Sequence, residues 1–464
     1  MAQSTLSRRN FLRRTAMLGV MAVTAACAPA KPQPTATSQP QPTKAAVTQP
    51  TAAPQAQPTA APTAKPAAAE KATVRLATWT AAANLPVWQK AIDIFQTKYP
   101  NIQVAMEHTP GDAYWDKLTV AYAGGTPPDV IYAPPDRAQL VGTQGMLLDV
   151  TALAERDKTD LSVINPSSMQ PYRWEGKVWA MPIVNDTRYT IYNKTLFREA
   201  GLPDLPEVWD DDNFTIEVFL SYCQKLTNPA KQTWGYVFEG NTSAARFTWL
   251  FGADYWDNQE KPTRAVMDSP QGIAGFQFVQ DLVHRYKVAP SVAENIGGSD
   301  PMFQTGKVGM IWAGYKSAAA VHKDIKNFEW GITTFPKGTR RMSNVSPQAF
   351  AIISKSKVAD ASWAFLKYSA YEDGQEILTQ STSMPANLKV DFSKVSPLKP
   401  WQNKLLQDAL KGGRPEIPHP NVKPQMITVI NEEMDQLMAK TKTGEQAAKS
   451  MASRINELFA KSKS

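Results

Sequence analysis

From Ala28 to Lys71 the chain is almost entirely Ala, Pro, Thr, Gln and Lys, with no aromatic residue and hardly any large aliphatic one. Such a segment cannot bury enough apolar surface to offset the entropy of ordering it. Any packed core must therefore come from the roughly 390 residues that follow, enough for two domains. Residues 27–71 are read as a disordered tether, semi-extended and stiffened by its prolines.

The residues before the tether read as an export leader, residues 1–26. Ser7-Arg8-Arg9-Asn10-Phe11-Leu12 and then Arg13-Arg14 precede a short apolar run from Ala16 to Ala26. That run is shorter than the roughly 20 apolar residues a membrane-spanning helix needs. A basic segment, a short apolar core and small residues make a signal peptide rather than part of a fold. The paired arginines followed by Phe-Leu resemble the twin-arginine class, which exports folded proteins. Cys27 follows Thr24-Ala25-Ala26 and resembles the lipidated cysteine of bacterial lipoproteins, although Thr24 replaces the usual Leu, Val or Ile. The expectation is a protein anchored by lipid to the outer face of the cell membrane. Cys223, the only other cysteine, lies in an apolar helix-like stretch and reads as a packed core thiol.

The formal charge is +8, but residues 1 to 71 hold eight Lys or Arg against one acid, which leaves the remainder at about +1. No basic block marks a nucleic-acid face. Four histidines, His108, His284, His322 and His419, lack metal-ligand spacing. No metal or cofactor is expected.

Strand and helix signals alternate from Thr73 onward. Thr73 to Ala77 reads as a strand, and residues 85 to 99 place Leu85, Trp88, Ile92, Phe95 and Tyr99 on one helix face. Ile102 to Glu107 and Asp129 to Tyr132 read as strands, with a helix between them that Asp112 can cap. This rhythm predicts an α/β fold with a parallel sheet, which binds ligands beyond the carboxyl ends of its strands. Trp79, Asp112 and Asp136 all follow such ends. Further elements include a helix over Pro270 to Tyr286, opened by Asp268-Ser269-Pro270, and strands over Lys307 to Trp312 and Trp330 to Phe335.

All thirteen tryptophans fall between Trp79 and Trp401. Trp88 and Trp363 sit in helical apolar patterns and read as core. Trp79, Trp115, Trp249, Trp256 and Trp312 fall at strand ends or loops beside acids and amides. Aromatic faces flanked by such groups suit a sugar, whose C–H faces stack on rings while its hydroxyls seek hydrogen bonds.

Five segments together resemble the family 1 extracellular solute-binding proteins, which include the sugar receptors of ATP-driven importers. They are WQKAIDIFQTKYPNIQV (88–104), AGGTPPDVIYAPPDRAQLVGTQGMLLDV (123–150), TIYNKTLFREAGLPDLPEVW (190–209), MDSPQGIAGFQFVQDL (267–282) and FQTGKVGMIWAGY (303–315). One departure, Asp210 to Phe214, puts a local helix start in doubt. The resemblance implies a two-lobe periplasmic-binding-protein-like fold with a ligand cleft between the lobes, residues 72–188 and 335–384 in one and 189–334 and 385–464 in the other. Crossings are expected near Tyr189 to Tyr192, near Trp330 to Phe335 and past Ser383. It implies lobe closure on the solute.

The resemblance also implies site residues. Asp136-Arg137 occupies the turn where the family presents a carboxylate to sugar hydroxyls, though Asp136 also reads as a helix N-cap. Trp312, Gly314 and Tyr315 end a segment that places a ring or backbone group in the cleft. Trp249, Tyr255 and Trp256 lie where the second lobe offers a stacking platform, and Asn185, Asp186 and Arg188 flank the first crossing. The expected partners are a small solute, a sugar above others, and membrane permease subunits, with the chain acting as a monomer.

Rival readings remain open. A secreted glycan-active enzyme would also show many aromatics and acids, but HExxH, G-x-S-x-G, paired CxxC and Walker patterns are absent from the sequence. The same fold could bind a uronate, polyol, peptide, polyamine, phosphorylated metabolite or metal, with Arg137 and Arg188 available to anions. It could also serve a sensor that signals to a membrane kinase.

Overall fold

The computed structural model describes residues 71–464 except 112, 260, 292–293, 296, 319–324, 342, 381–382, 416–421 and 462–464. The leader, the tether with Cys27, and Asp112 thus lie outside the described residues. In chain order the strands relevant to the site are β1 (Ala72–Thr78), β2 (Ile102–His108), β3 (Val130–Ala133), β4 (Met181–Asn185), β5 (Arg188–Asn193) and β6 (Trp234–Val237). They continue as β7 (Val308–Gly314), β8 (Trp330–Thr333), β9 (Ser343–Val345), β10 (Gln348–Ile352), β11 (Met384–Pro385) and β12 (Gly413–Pro415).

Two sheets organise the molecule. One has the order β11-β4-β10-β3-β1-β2 and the other β8-β5-β7-β6, while β9 and β12 form a separate pair. β1 runs parallel to β2 and β3, as the strand–helix alternation predicts. β10 is antiparallel to both β3 and β4, so β3 and β4 share a direction.

The first lobe buries Trp88, Ile92 and Phe95 of the helix Leu85–Lys98 against Val74, Leu76 and Phe350, with Trp363, Phe365 and Leu366 from the helix Ala359–Tyr371. Trp88 meets Tyr132 edge-on at 4.7 Å, so this indole is core as its helical spacing suggests. The second lobe packs Tyr236, Phe219 and Cys223 with Phe276 and Val279 of the helix Pro270–His284, and closes with the helices Lys423–Met438 and Gly444–Lys461. The helix at Pro270 starts as its sequence dictates, with Ser269 accepting from the Gly272 amide. The departure at Asp210 to Phe214 is accommodated: Asp211 accepts from the Asn213 and Phe214 amides, and the next helix begins at Ile216 under a Thr215 cap.

Three corrections concern the crossings. Tyr189 to Tyr192 lies inside the second sheet, and the first crossing is the short link from Asn185 at the end of β4 to Arg188 at the start of β5. Trp330 to Thr333 is an edge strand, and the chain stays with the second lobe until about Val345, because Phe335, Lys337, Thr339 and Arg340 all bond or pack there. The segment from 335 therefore joins the second lobe, and the return to the first begins near Ser346. After β11, Asn387 still bridges Ile164 and Leu388 donates to the Val163 carbonyl, whereas Phe392 is buried beside Tyr315. The third crossing falls between Leu388 and Phe392 rather than at 385.

The first two crossings pair with each other. Asp186 and Ser346 exchange backbone bonds of 3.1 and 2.9 Å, and Thr187 bridges Val345. This two-stranded link forms the hinge.

Glu433 joins the two C-terminal helices: its carboxylate is 2% exposed and accepts from Lys442 at 2.5 Å, Ser450 at 2.8 Å and Arg454 at 2.8 Å. Burial alone would raise its pKa, but these three donors outweigh burial and hold it below the ordinary 4.5. A depressed carboxylate stabilises the fold above its unfolded pKa, and that contribution fades as pH falls through the folded value. Glu433→Gln is expected to cost about 1–3 kcal/mol at pH 7. Thermal melts should show the gap from the unmodified chain narrowing as pH drops below 4.5; a gap constant with pH would contradict the assignment.

Candidate functional site

The carboxyl ends of parallel strands gather at the junction of the lobes. β3 and β4 end at Ala133 and Asn185 in the first sheet, and β6 and β7 end at Val237 and Gly314 in the second. Because Arg188 of β5 stands opposite Gly314, the first crossing delivers the edge of one sheet directly to the edge of the other.

Asp186 sits at this meeting point. Its Oδ1 accepts from the Tyr315 amide at 2.7 Å and the Thr187 amide at 2.9 Å, and its Oδ2 pairs with Arg188 Nη1 at 2.8 Å. The other terminal nitrogen of Arg188 reaches Glu239 at 3.0 Å, just past the end of β6. Arg188 is thus held between two carboxylates, with side-chain exposures of 24%, 31% and 37% for Arg188, Asp186 and Glu239. Charges this close to solvent keep access to water while remaining fixed in direction. Gly314 makes the arrangement possible: a Cβ there would lie 2.3 Å from both Arg188 Nη1 and Asp186 Oδ2.

Beside Arg188 a narrow crevice of about 20 Å³, room for about one water, enters the second lobe, lined by Ser243, Arg246, Trp249, Leu250, Trp312, Phe335, Ser343 and Asn344. Trp249 and Trp312 both line it, and each carries a buried indole N–H that meets no acceptor among the described residues. Buried donors of this kind are normally satisfied by water or ligand.

On the first lobe, Trp79 is half-buried at the end of β1, leans on Tyr132 with ring centres 5.6 Å apart, and donates to the Tyr132 carbonyl at 3.2 Å. Asp136 and Arg137 occupy the first turn of the helix Pro135–Thr143, both half-buried. Pro134 is the N-cap residue, so the capping role considered for Asp136 does not apply; its charge instead lies in the first turn, where helix dipoles favour an anion. Arg137 stacks over Trp115 at 5.3 Å.

Several expected site residues turn out to be packing groups. Trp256 is 4% exposed and edge-on to Phe459 of the last helix, so its ring faces the lobe interior. Trp312 lies flat on Phe247 at 3.8 Å and is covered by the edge of Phe335 at 4.5 Å, which leaves no open face for stacking. Tyr315 is 2% exposed and its hydroxyl donates to Ser396 at 3.1 Å; only its amide reaches the site, and burial pushes its phenol pKa up. Asn185 is buried and donates to Ser168 at 2.6 Å. Trp249 and Tyr255, 5% and 8% exposed, are also largely packed into the second lobe; they sit together, ring centres 5.3 Å apart, and Trp249 borders the crevice beside Arg188. Glu239, Ser243, Arg246, Ser343 and Asn344 escaped the sequence reading. Glu239-Gly240 at the end of a strand carried the same positional signal as Asp136, while Ser343 and Asn344 reach the site only because the hinge strand returns there.

Two lobes joined by paired crossings, with the strand ends of both facing one junction, define a hinged receptor for a small solute. The chain belongs to the family of bacterial extracellular solute-binding proteins, whose model matches residues 76–376. It is similar to a maltooligosaccharide ABC transporter solute-binding lipoprotein of Streptococcus pneumoniae, 25% identical over 281 residues, or 59% of this chain and 63% of that one. It is also similar to a maltodextrin-binding protein of Bacillus subtilis, 24% identical over 319 residues, 66% and 70% of the two chains. Among solved structures, an ABC substrate-binding protein from Listeria monocytogenes in complex with cycloalternan superposes with a TM-score of 0.71 at 20% identity, covering 84% of this chain and all of that one.

Gly314→Ala should lower the melting temperature through a steric cost of about 1–3 kcal/mol. In an Arg188→Ala background, which removes one of the two clashes, the loss from the same change should shrink. Equal losses in both backgrounds would contradict the crowding at Gly314.

Proposed function

We propose that this chain is the substrate-binding component of an ABC importer, and that it captures a neutral α-glucan oligosaccharide between its lobes and delivers it to membrane permease subunits. The observation that carries this reading is the convergence of Asp186, Arg188 and Glu239 at the strand ends with the Trp249–Tyr255 pair beside them. Carboxylates offer acceptors to sugar hydroxyls, and an aromatic ring takes the C–H face. Asp136, Arg137 and Trp79 supply the facing wall from the first lobe. Relatives whose names specify maltooligosaccharide and maltodextrin binding support the substrate class. Arg188, engaged by two carboxylates, favours a neutral sugar over a uronate or sugar phosphate. The site thus functions by binding and closure, without covalent chemistry, and the protein is read as a binding protein and not an enzyme.

We place the protein outside the cytoplasmic membrane, exported by its twin-arginine-type leader and anchored through Cys27. The S. pneumoniae relative is called a lipoprotein, which supports an anchor. Radiolabelled palmitate should enter the chain in cells and be lost in Cys27→Ser, which should appear in the medium. Label retained by Cys27→Ser would contradict the anchor.

Intrinsic fluorescence of the purified chain should change saturably with maltotriose or maltotetraose and fail to respond to a uronate oligomer of the same length. Trp249→Ala should weaken binding by about tenfold or more, about 1.4 kcal/mol. A response to peptides or polyamines in place of sugars would keep the fold and overturn the substrate.

A further inference from the structure

The loop after Trp249 is held by two arginines from distant parts of the chain. Arg340 donates through Nε to the Trp249 carbonyl at 3.1 Å, and through Nη2 to the Ala253 carbonyl and to Asp254 Oδ1, the latter at 2.8 Å. Arg414 pairs with the same Asp254 oxygen. The Thr339 amide adds a bond to the Leu250 carbonyl at 2.8 Å.

Both arginines belong to the hinge. Arg340 lies three residues before β9, and Arg414 lies on β12, paired with Asn344 of β9. β9 in turn meets the first crossing, where Val345 bridges Thr187 and Ser343 Oγ donates to the Arg188 carbonyl at 2.5 Å. The first lobe reaches the same element, since Ser167 donates to the Gly413 carbonyl at 2.9 Å. A continuous set of polar contacts therefore runs from the first lobe through β12 and β9 to Asp254 and the Trp249 backbone.

We propose that Asp254 is a positioning residue, which ties the Trp249 ring to the hinge strands so that the orientation of the ring follows the state of the hinge. The proposal deepens, and rests on, the reading of Trp249 as the sugar-facing platform. A carboxylate shared by two guanidinium groups is directional and costly to leave half-paired, so Asp254 holds the loop after Trp249 in a fixed position relative to both arginines. If Asp254 only stabilised the loop, its loss would lower the melting temperature and leave the environment of the Trp249 ring as it is.

The test compares the full chain, Asp254→Asn, Trp249→Phe and the double variant by fluorescence and by titration with maltotetraose. The Trp249 contribution is the difference between the spectra with and without that ring. The expected result is a red shift of this contribution in ligand-free Asp254→Asn and a dissociation constant raised about tenfold. In the Trp249→Phe background, Asp254→Asn should add less than about twofold. An unchanged Trp249 contribution, or equal weakening in both backgrounds, overturns the proposal. If the unmodified chain ignores maltotetraose, the sugar reading fails, and the ligand-free spectral shift alone decides the positioning role. Should Asp254→Asn fail to fold, Arg340→Lys, which keeps the charge but loses the planar fork, is read by the same criteria.

Discussion

The site at the junction of the two lobes depends on one carboxylate. Asp186 takes the Thr187 and Tyr315 amides on one oxygen and Arg188 on the other, and so fixes the end of β7 against the start of β5. The backbone of the same residue pairs with Ser346, which holds the outgoing and returning strands together. The backbone pairings of the crossings and of β5 with β7 would persist without the carboxylate, but Arg188 and the Tyr315 amide would lose the group that fixes their direction at the site. Because the hinge is a pair of short hydrogen-bonded strands, rotation about it is confined to a few backbone dihedrals, as in other domain-closure systems.

Function follows from the same placement. Charges at the strand ends are only partly exposed, so closure of the lobes would remove their remaining water and strengthen every bond they make to a solute. Arg188 pairs with Asp186 and Glu239, so the trio keeps one carboxylate in excess, which leaves the junction rich in acceptors and unfavourable to an anionic solute. Such a surface suits a molecule that carries many hydroxyls and no charge. The indoles of Trp249 and Trp312 divide the aromatic work: Trp312 is sandwiched into the core and shapes the crevice floor, while Trp249 borders the crevice with Tyr255 on its flank.

Much of this architecture was legible in the sequence, because alternating periodicity and cap chemistry are local. The parallel pairing of β1, β2 and β3, the helix opened by Ser269 and the burial of Trp88 and Trp363 all follow from patterns within a few residues. The crossings were misplaced by several residues because the segment after Thr333 is polar and loop-like, and its membership is decided by remote contacts such as Arg340 with the Trp249 carbonyl. The same limit explains the site. Residue type shows that Trp256, Trp312 and Tyr315 are large and lie near turns, but Phe459, Phe247 and Ser396, which cover or bind them, are far away in sequence. Glu239 was missed because an acid after a strand is common, and only Arg188 gives it meaning.

Hydrogen–deuterium exchange with and without maltotetraose is the most direct test of the central claim, that a neutral oligosaccharide is held where the strand ends of both lobes meet. Slowed exchange is expected in three places at once: the first turn at Asp136 to Ala138, the crossing at Asp186 to Tyr189, and the second-lobe segment from Glu239 to Leu250. Protection confined to one lobe, or absent from the crossing while the sugar is bound, would contradict it.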